Sequence, residues 1–200
     1  MPTSRAKVQA GTAAEILDIA ERLVQRRGFN GFSYADVSSE LGITKAALHY
    51  HFAGKAELGE SLISRYADRF GAALAAIGAA DMPASDKLRA YCDLYRRTLL
   101  DERMCLCGML AAEYNTLNEP MRAAIVKFFD QNQNWLAVLL DEGRRSGPLS
   151  FAGPVEQAAQ TIIAALEGAM LVARPYQGTA VLDAVIDRIL GDFGAELSRS

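Results

Sequence analysis

Residues 44–52 hold the side chains of this chain that are best suited to contacting a nucleic acid. Leu48 and Phe52 are four residues apart and therefore share one apolar face of a helix. The other faces carry hydrogen-bond donors and aromatic edges that suit a duplex groove, on Lys45, His49 and Tyr50. Thr44 can cap the helix by accepting a hydrogen bond from an early backbone N–H. The segment therefore predicts a helix that reads DNA.

The residues that precede this segment predict the two helices needed to position it. Ser33 can cap a short helix that runs through Leu41, and Gly42 then supplies the turn into Thr44. Further upstream, residues 13–27 predict an amphipathic helix. The apolar residues of the three helices suffice for a small core of Ile16, Ala20, Leu23, Val24, Phe29, Phe32, Val37, Leu41, Leu48 and Phe52. This order of helices is typical of a helix-turn-helix module.

Residues 12–58 resemble the DNA-binding domain of the TetR family of bacterial transcriptional repressors. The resemblance rests on Arg27-Gly28-Phe29, Ser33-Tyr34-Ala35-Asp36-Val37, Leu41-Gly42-Ile43-Thr44-Lys45, and His51-Phe52 followed by Lys55 and Leu58. It implies a DNA-binding regulator with a double-stranded operator as its partner. The residues expected at the DNA are Ser33, Tyr34, Thr44, Lys45, Ala46, Ala47, His49, Tyr50, His51 and Lys55. Lys55 is expected to contact phosphate, because it begins the next helix, where the dipole is positive.

Charge is divided unevenly along the 200 residues. The net charge is −3, but residues 1–56 carry +2 and the remainder carries −5. The positive residues therefore lie with the motif, which weakens the objection that an acidic protein is a poor partner for DNA. Arg5 and Lys7 are expected in a flexible N-terminal arm that either reaches the DNA or only keeps the chain soluble.

The sequence has the composition of a cytoplasmic protein. Residues 1–10 contain no apolar segment typical of an export signal, and no run approaches the ~18 apolar residues of a membrane span. Three cysteines, an odd number, do not suggest the disulfide framework of a secreted protein. We expect no cofactor and no bound metal.

Beyond residue 52 the sequence predicts helices nearly throughout. A long helix over residues 55–77 is indicated by an apolar residue at every fourth position, Leu58, Leu62, Tyr66, Phe70 and Leu74. Further helices are predicted over residues 84–100, 103–114, 120–145 with Asn118 as its cap, 154–173 and 178–197. We expect an all-α fold of about nine helices, with a helix-turn-helix domain at 1–53 and an effector-binding and dimerisation domain at 54–200.

The last two predicted helices carry more apolar residues than one buried face requires. These are Ile162, Ile163, Leu166, Met170, Leu171 and Val172 in the first, and Val181, Leu182, Val185, Ile186, Ile189, Leu190, Phe193 and Leu197 in the second. Two apolar faces imply two neighbours, so we expect a homodimer through a four-helix interface of twofold symmetry. The alternative is that both helices are central in a monomer.

The middle helices predict a pocket for a small-molecule effector, as the TetR resemblance also implies. Its candidate lining residues are Tyr91, Tyr95, Cys107, Leu110, Glu113, Tyr114, Phe128, Asn132 and Trp135. Either Glu113 or Asn132 is expected to be the polar anchor. Aromatic residues at helical spacing also form ordinary core, which is the alternative. Two DNA-binding domains that bind one operator together have a higher combined affinity than either alone. An effector that changes their separation would remove this gain in affinity.

Residues 104–113 resemble a segment of one TetR branch, which includes regulators of multidrug efflux and of the response to reactive electrophiles. The resemblance implies that Cys105 is a candidate sensor thiol, and Arg103 is a nearby cation that lowers a thiol pKa. Residues two apart on a helix point about 200° away from each other. Cys105 and Cys107 are therefore not expected to bridge or to share a metal. The alternative is that both are buried small hydrophobes.

Enzymatic functions are disfavoured by the motifs that the sequence lacks. It has no nucleotide-binding Gly loop, no His-Glu-x-x-His and no Gly-x-Ser-x-Gly. Its two histidines, His49 and His51, fall on different faces of the predicted helix. Three hypotheses remain: a repressor released from a pseudo-palindromic operator by a small lipophilic molecule, a thiol-based electrophile or redox sensor of the same architecture, and a helical interaction module without DNA binding.

Overall fold

The computed structural model describes the backbone of residues 4–194 and the side chains of residues 11–194. Within these residues the chain forms α-helices, two short 3-10 turns and no β-strand. The helices are α1 (Ser4–Arg27), α2 (Tyr34–Leu41), α3 (Lys45–His51), α4 (Lys55–Ala79), α5 (Ala84–Leu100), α6 (Leu106–Ala112), α7 (Glu119–Ser146), α8 (Val155–Ala173) and α9 (Ala180–Asp192). The prediction of an all-α fold with about nine helices is confirmed. No helix in the described part of the chain is long and apolar enough to cross a membrane.

The helices pack into two compact units. The first comprises the residues up to Ala67 together with Leu106–Val126, and the second comprises Asp68–Cys105 together with the residues from Lys127 onward. This division follows packing, so that one stretch from the middle of the sequence belongs to the first unit. The expected domain boundary between residues 53 and 54 is a division along the sequence and stays a prediction.

The first unit is built around the apolar faces of α1, α2 and α3. Its fully buried side chains include Ile16, Ala20, Val24, Val37, Leu48, Leu58, Leu62, Leu106, Leu110 and Met121. Gly59 of α4 allows an unusually close approach, because a Cβ at this position would lie 2.6 Å from the terminal methyl of Met121 and 2.9 Å from the ring of Phe29. A side chain here would require the Met121 side chain and the Phe29 ring to shift.

The second unit has its core between α5, α7, α8 and α9. The buried side chains from these helices include Leu88, Tyr91, Leu136, Leu140, Ile162, Leu166, Met170, Leu182, Ile186 and Leu190. An ion pair between Arg96 Nε and Asp183 Oδ1, at 2.7 Å, connects α5 to α9 at the surface. The apolar stripes predicted from the sequence therefore supply this core.

The ends of three helices differ from the predictions. Helix α1 begins at Ser4 rather than Ala13, so the backbone of Arg5 and Lys7 is helical instead of forming an irregular arm; their side chains lie outside the described residues. Helix α9 ends at Asp192 rather than at residue 197, because the Phe193 carbonyl accepts from the Ser150 N–H at 3.0 Å and Gly194 has a φ of +67°. Leu197 lies outside the described residues.

Helix α6 begins at Leu106, three residues later than predicted. The chain leaves α5 through Glu102, whose φ is +56°, and the Arg103 N–H bonds back to the Thr98 carbonyl at 3.1 Å. This turn leaves residues 103–105 outside any helix. Cys105 therefore precedes the helix that contains Cys107, and the argument from helical spacing does not apply to the pair.

Candidate nucleic-acid interface and effector core

The turn between α2 and α3 is held by the caps that the sequence predicts. The Asp36 carboxylate accepts from the N–H and the hydroxyl of Ser33 at 2.7 and 2.6 Å, and these hydrogen bonds lower its pKa. Gly42 ends α2 with a φ of +70°, a conformation that favours glycine. The Thr44 hydroxyl oxygen accepts from the Ala47 N–H at 3.1 Å and so caps α3. The start of α3 is therefore fixed by local interactions.

Helix α3 has one buried face and one face open to solvent. Leu48 and Phe52 are buried, as predicted from their spacing. The open face presents Lys45, Ala46, His49 and Tyr50, while Ala47 and His51 are half-buried. Tyr50 is 73% exposed, which is unusual for an aromatic side chain. The expected base-reading residues are thus available for contact.

Tyr34 and His49 are oriented by contacts within the module. The Tyr34 hydroxyl donates to the Phe52 carbonyl at 3.1 Å, and its ring lies 4.8 Å from the imidazole of His49. Burial, followed by the charge of Glu57, raises the pKa of Tyr34 to about 12, so it remains a neutral donor. The His49 Nδ1 lies 3.1 Å from the Ala53 carbonyl, so this contact does not use Nε2.

Lys55 is partly engaged inside the module. Its ammonium donates to the Phe32 carbonyl at 2.5 Å and lies 4.7 and 4.3 Å from the ring centroids of Phe29 and Phe32. Burial lowers the pKa of this amine. Lys55 also lines an open groove of about 420 Å³ together with Phe32, Ser33, Tyr34, Ala35, Lys45 and His49. The lining of this groove therefore includes two lysines and one histidine, the kinds of side chain that contact phosphate in protein–DNA complexes.

Glu113, one of the two candidate polar anchors of an effector, binds the backbone just after the end of α1. Its carboxylate accepts from the Phe29 N–H at 2.5 Å and from the Asn30 N–H at 3.2 Å. Asn30 also donates from its side-chain nitrogen to the Thr116 hydroxyl at 2.8 Å. These bonds attach the segment that follows α6 to the residues that follow α1 in the same unit.

We expect Glu113→Ala to destabilise the first unit by about 1–3 kcal/mol, because two backbone N–H groups lose their acceptor. The urea-unfolding midpoint of the full chain measures this effect. Glu119→Ala is the matched control, since Glu119 is exposed and pairs only with its helical neighbour Arg122 at 2.9 Å. Equal midpoints for the two variants would contradict the role given to Glu113.

The expected effector residues fall into both units. Cys107, Leu110, Glu113 and Tyr114 belong to the first, and Tyr91, Tyr95, Phe128, Asn132 and Trp135 belong to the second. Cys107 and Leu110 are buried core residues. Tyr114 is partly exposed, with the Arg122 guanidinium 5.8 Å from its ring centroid. The structure therefore gathers five of the nine candidates in the second unit.

Three of those five residues form a closed ring of hydrogen bonds, and the other two belong to the aromatic cluster around it. The Tyr91 hydroxyl donates to Asn132 Oδ1 at 2.9 Å, Asn132 Nδ2 donates to the Tyr95 hydroxyl at 3.1 Å, and the two hydroxyls are 3.2 Å apart. Trp135 stacks on Tyr91 with 5.7 Å between the centroids, and Phe128 reaches this cluster through Phe70. Burial raises the pKa of both phenols. Asn132 is thus already satisfied by protein partners.

Glu167 is the residue of this region that the sequence reasoning missed. Its carboxyl accepts a hydrogen bond from the Cys105 thiol, and burial raises its pKa to about 7. It acts electrostatically on both Tyr91 and Tyr95. The available signal was a single carboxylate within the otherwise apolar stretch 162–170 of α8. No cluster of three potential metal ligands occurs among the described residues.

Comparisons with known proteins cover most of the chain. The model for bacterial regulatory proteins, tetR family, matches residues 16–62, and the model for tetracyclin repressor-like, C-terminal domain, matches residues 84–189. The HTH-type transcriptional repressor NemR of Escherichia coli is 27% identical over 82% of this chain and 84% of its own length. A TetR-family transcriptional regulator from Agrobacterium tumefaciens is 31% identical, with a TM-score of 0.89 over 92% of this chain and 98% of that one. A TetR regulator from Legionella pneumophila is 27% identical, with a TM-score of 0.80 over 96% and 98%.

Proposed function

The chain belongs to the TetR family of bacterial regulatory proteins, and from that premise we propose that it is a ligand-responsive repressor. In this proposal a homodimer binds a pseudo-palindromic operator in the cytoplasm and is released by a small lipophilic molecule. The observation that carries it is the capped helix α3, whose Leu48 is buried while Lys45, His49 and Tyr50 face outward. Two such helices can occupy successive major grooves of one operator.

DNA binding is tested first with the purified full chain and fragments of its own genome. Fragments that remain bound are sequenced, and the affinity for the recovered site is measured by fluorescence anisotropy at several salt concentrations. The affinity should fall steeply with salt, because each phosphate contact releases counterions. Failure to retain any fragment at low ionic strength would overturn the proposal.

Dimerisation through the proposed α8–α9 interface is supported, on the α8 side, by exposed apolar side chains that are close together in sequence. At the end of α8 and in the turn that follows it, Leu171, Val172 and Tyr176 are 50%, 57% and 74% exposed. Exposed apolar side chains that cluster in this way are typical of a protein–protein interface. A second copy of the chain related by twofold symmetry would cover the same patch on both partners.

We expect Leu171→Asp to weaken the dimer by about tenfold or more, because it places a charge in an apolar interface. Sedimentation equilibrium at several protein concentrations measures the dissociation constant. Leu100→Asp is the matched control, since Leu100 is a similarly exposed leucine on α5. A dimer that tolerates Leu171→Asp as well as the control substitution would exclude this interface.

The effector is proposed to act through the aromatic cluster of the second unit. Tyr91, Tyr95 and Trp135 provide large apolar faces near a few polar groups, a combination that suits a small lipophilic ligand. Residues of helix α4 belong to both units. We propose that a movement of α4 changes the separation of the two DNA-binding domains of the homodimer. A complete reversal of operator occupancy requires a preference of roughly 5.5 kcal/mol for the released state.

The alternative proposal is a thiol-based sensor that uses Cys105 or Cys107. Its support is the contact of the Cys105 thiol with Glu167, whose carboxyl can accept the thiol proton. The similarity to NemR, whose solved structure is described as the reduced form, points in the same direction. The two proposals differ in whether alkylation alone releases the operator and whether Cys105→Ser prevents that release.

We expect the native chain to show no rapidly reacting thiol, because Cys92, Cys105 and Cys107 are all buried. Burial also raises the pKa of Cys92 to about 12, so little thiolate is present. Titration with Ellman's reagent before and after unfolding in guanidinium measures the accessible and total thiols. A fast native phase that disappears in Cys105→Ser would instead favour the sensor proposal.

A further inference from the structure

The Glu167 carboxyl in the second unit has one oxygen without a partner. Oε1 is buried and has no hydrogen-bond partner, although the residue as a whole retains some exposed surface. Within the described residues, the side chain that donates a hydrogen bond to this carboxyl is the Cys105 thiol, a weak donor. Buried polar atoms in proteins are nearly always satisfied, so an unpartnered one calls for a functional explanation.

The polar side chains near Glu167 form hydrogen bonds with each other. Tyr91, Tyr95 and Asn132 form a closed ring in which each hydroxyl and the side-chain amide has a partner. Both phenols respond electrostatically to Glu167, and Tyr95 also responds to Cys105, so these groups share one region of the unit. With these three groups engaged, a molecule from outside the chain can supply the hydrogen bond that Oε1 lacks.

The surroundings of Glu167 indicate which kind of hydrogen-bond donor would suit Oε1. A carboxylate in a poorly hydrated site is stabilised most by a positive charge that also donates a hydrogen bond. Aromatic rings such as those of Tyr91, Tyr95 and Trp135 attract cations as well as apolar groups at any face that is not covered by another ring. A neutral donor would satisfy Oε1 without compensating the charge. An ammonium group on an aromatic or aliphatic body meets both requirements.

We propose that Glu167 is the anchor for the protonated amine of a lipophilic effector. This inference rests on the proposed function for the role of the bound molecule, and it narrows the class of that molecule. The amine nitrogen would donate to Oε1, while its apolar body would lie against the aromatic cluster of α5 and α7. Burial keeps the carboxyl pKa close to 7, so that a cation beside it readily holds it in the charged form.

The test uses calorimetry on the free full-length protein with two probes of matched shape, 3-phenylpropylamine and 3-phenylpropan-1-ol. We expect the amine to bind the native protein about tenfold or more tightly than the alcohol. Glu167→Gln keeps the shape of the side chain and removes its charge, so the preference should disappear while the alcohol binds as before. Glu156→Gln, an exposed carboxylate on the same helix, is the matched control and should keep the preference.

Three results would overturn the inference. They are equal affinities of the two probes for the native protein, a preference that survives in Glu167→Gln, and no binding of the amine at millimolar concentration. Circular dichroism of Glu167→Gln establishes that a lost preference is not lost folding. Operator binding is measured separately by anisotropy. An amine that binds through Glu167 without releasing DNA would leave the site standing and remove only its role as effector.

Discussion

A Lys45→Ala/Tyr50→Ala double variant is expected to lose operator affinity by at least about 10²-fold, because each well-formed base contact contributes roughly 1–3 kcal/mol. Both side chains lie on the exposed face of α3, opposite the buried Leu48. A homodimer presents each of them twice, so the loss is doubled in free energy. Fluorescence anisotropy on the recovered operator at fixed salt gives the change in dissociation constant.

The controls for this variant separate the interface from general effects of charge and folding. Lys127→Ala removes an exposed lysine of α7 and should leave operator affinity nearly unchanged. Tyr50→Phe keeps the ring and removes the hydroxyl, so it distinguishes stacking from hydrogen bonding. Thermal unfolding of the double variant should match that of the native chain, since both positions are exposed. Retained operator binding by the folded double variant would contradict the assignment of α3 as the reading helix.

The free energy of unfolding of Glu167→Gln is compared with that of the native chain at two pH values. We expect this difference to favour the variant by about 1–3 kcal/mol more at pH 8 than at pH 4. Burial raises the carboxyl pKa in the folded chain from 4.5 to about 7. Below pH 4.5 both the folded and the unfolded state hold the proton, so this group contributes no pH dependence. Between these two values only the folded state holds it, and stability therefore falls as pH rises until it levels off above 7.

The measurement is the free energy of unfolding in urea at several pH values from 4 to 8, compared between the native chain and Glu167→Gln. Taking the difference between the two proteins removes the contribution of every other titrating group. Glu156→Gln, at an exposed position, should show a difference that does not change with pH. A constant difference for Glu167→Gln as well would mean that its carboxyl ionises freely and is not buried in the manner described.

The helix-turn-helix module could be predicted closely because its signals are local. The cap at Ser33, the left-handed Gly42 and the cap at Thr44 each act within four residues, and the structure has all three. The apolar spacing of Leu48 and Phe52 likewise decides which face of α3 is buried. Such short-range interactions depend only on residues that are close in sequence, so these elements can be predicted from a short segment of the chain.

The roles of Glu113 and Glu167 could not be predicted because they depend on contacts across the fold. Glu113 binds the backbone of Phe29, 84 positions away in sequence. Glu167 meets Cys105, which lies in the non-helical segment between α5 and α6. From sequence alone, a glutamate on a helix is expected to be a solvated surface residue, because its neighbours in the fold are not known. The composition of α8 marked Glu167 as unusual without indicating its partner.

The discontinuous make-up of the first unit limits how this regulator can be cut and recombined. A fragment ending at residue 67 would lack Met121, which packs where Gly59 has no side chain, and would lack the carboxylate that binds the Phe29 and Asn30 amides. The apolar surface around Phe29 would then face water. A chimera that joins the DNA-binding residues of this chain to the effector-binding domain of another regulator therefore needs residues 106–126 as well as the residues up to 67.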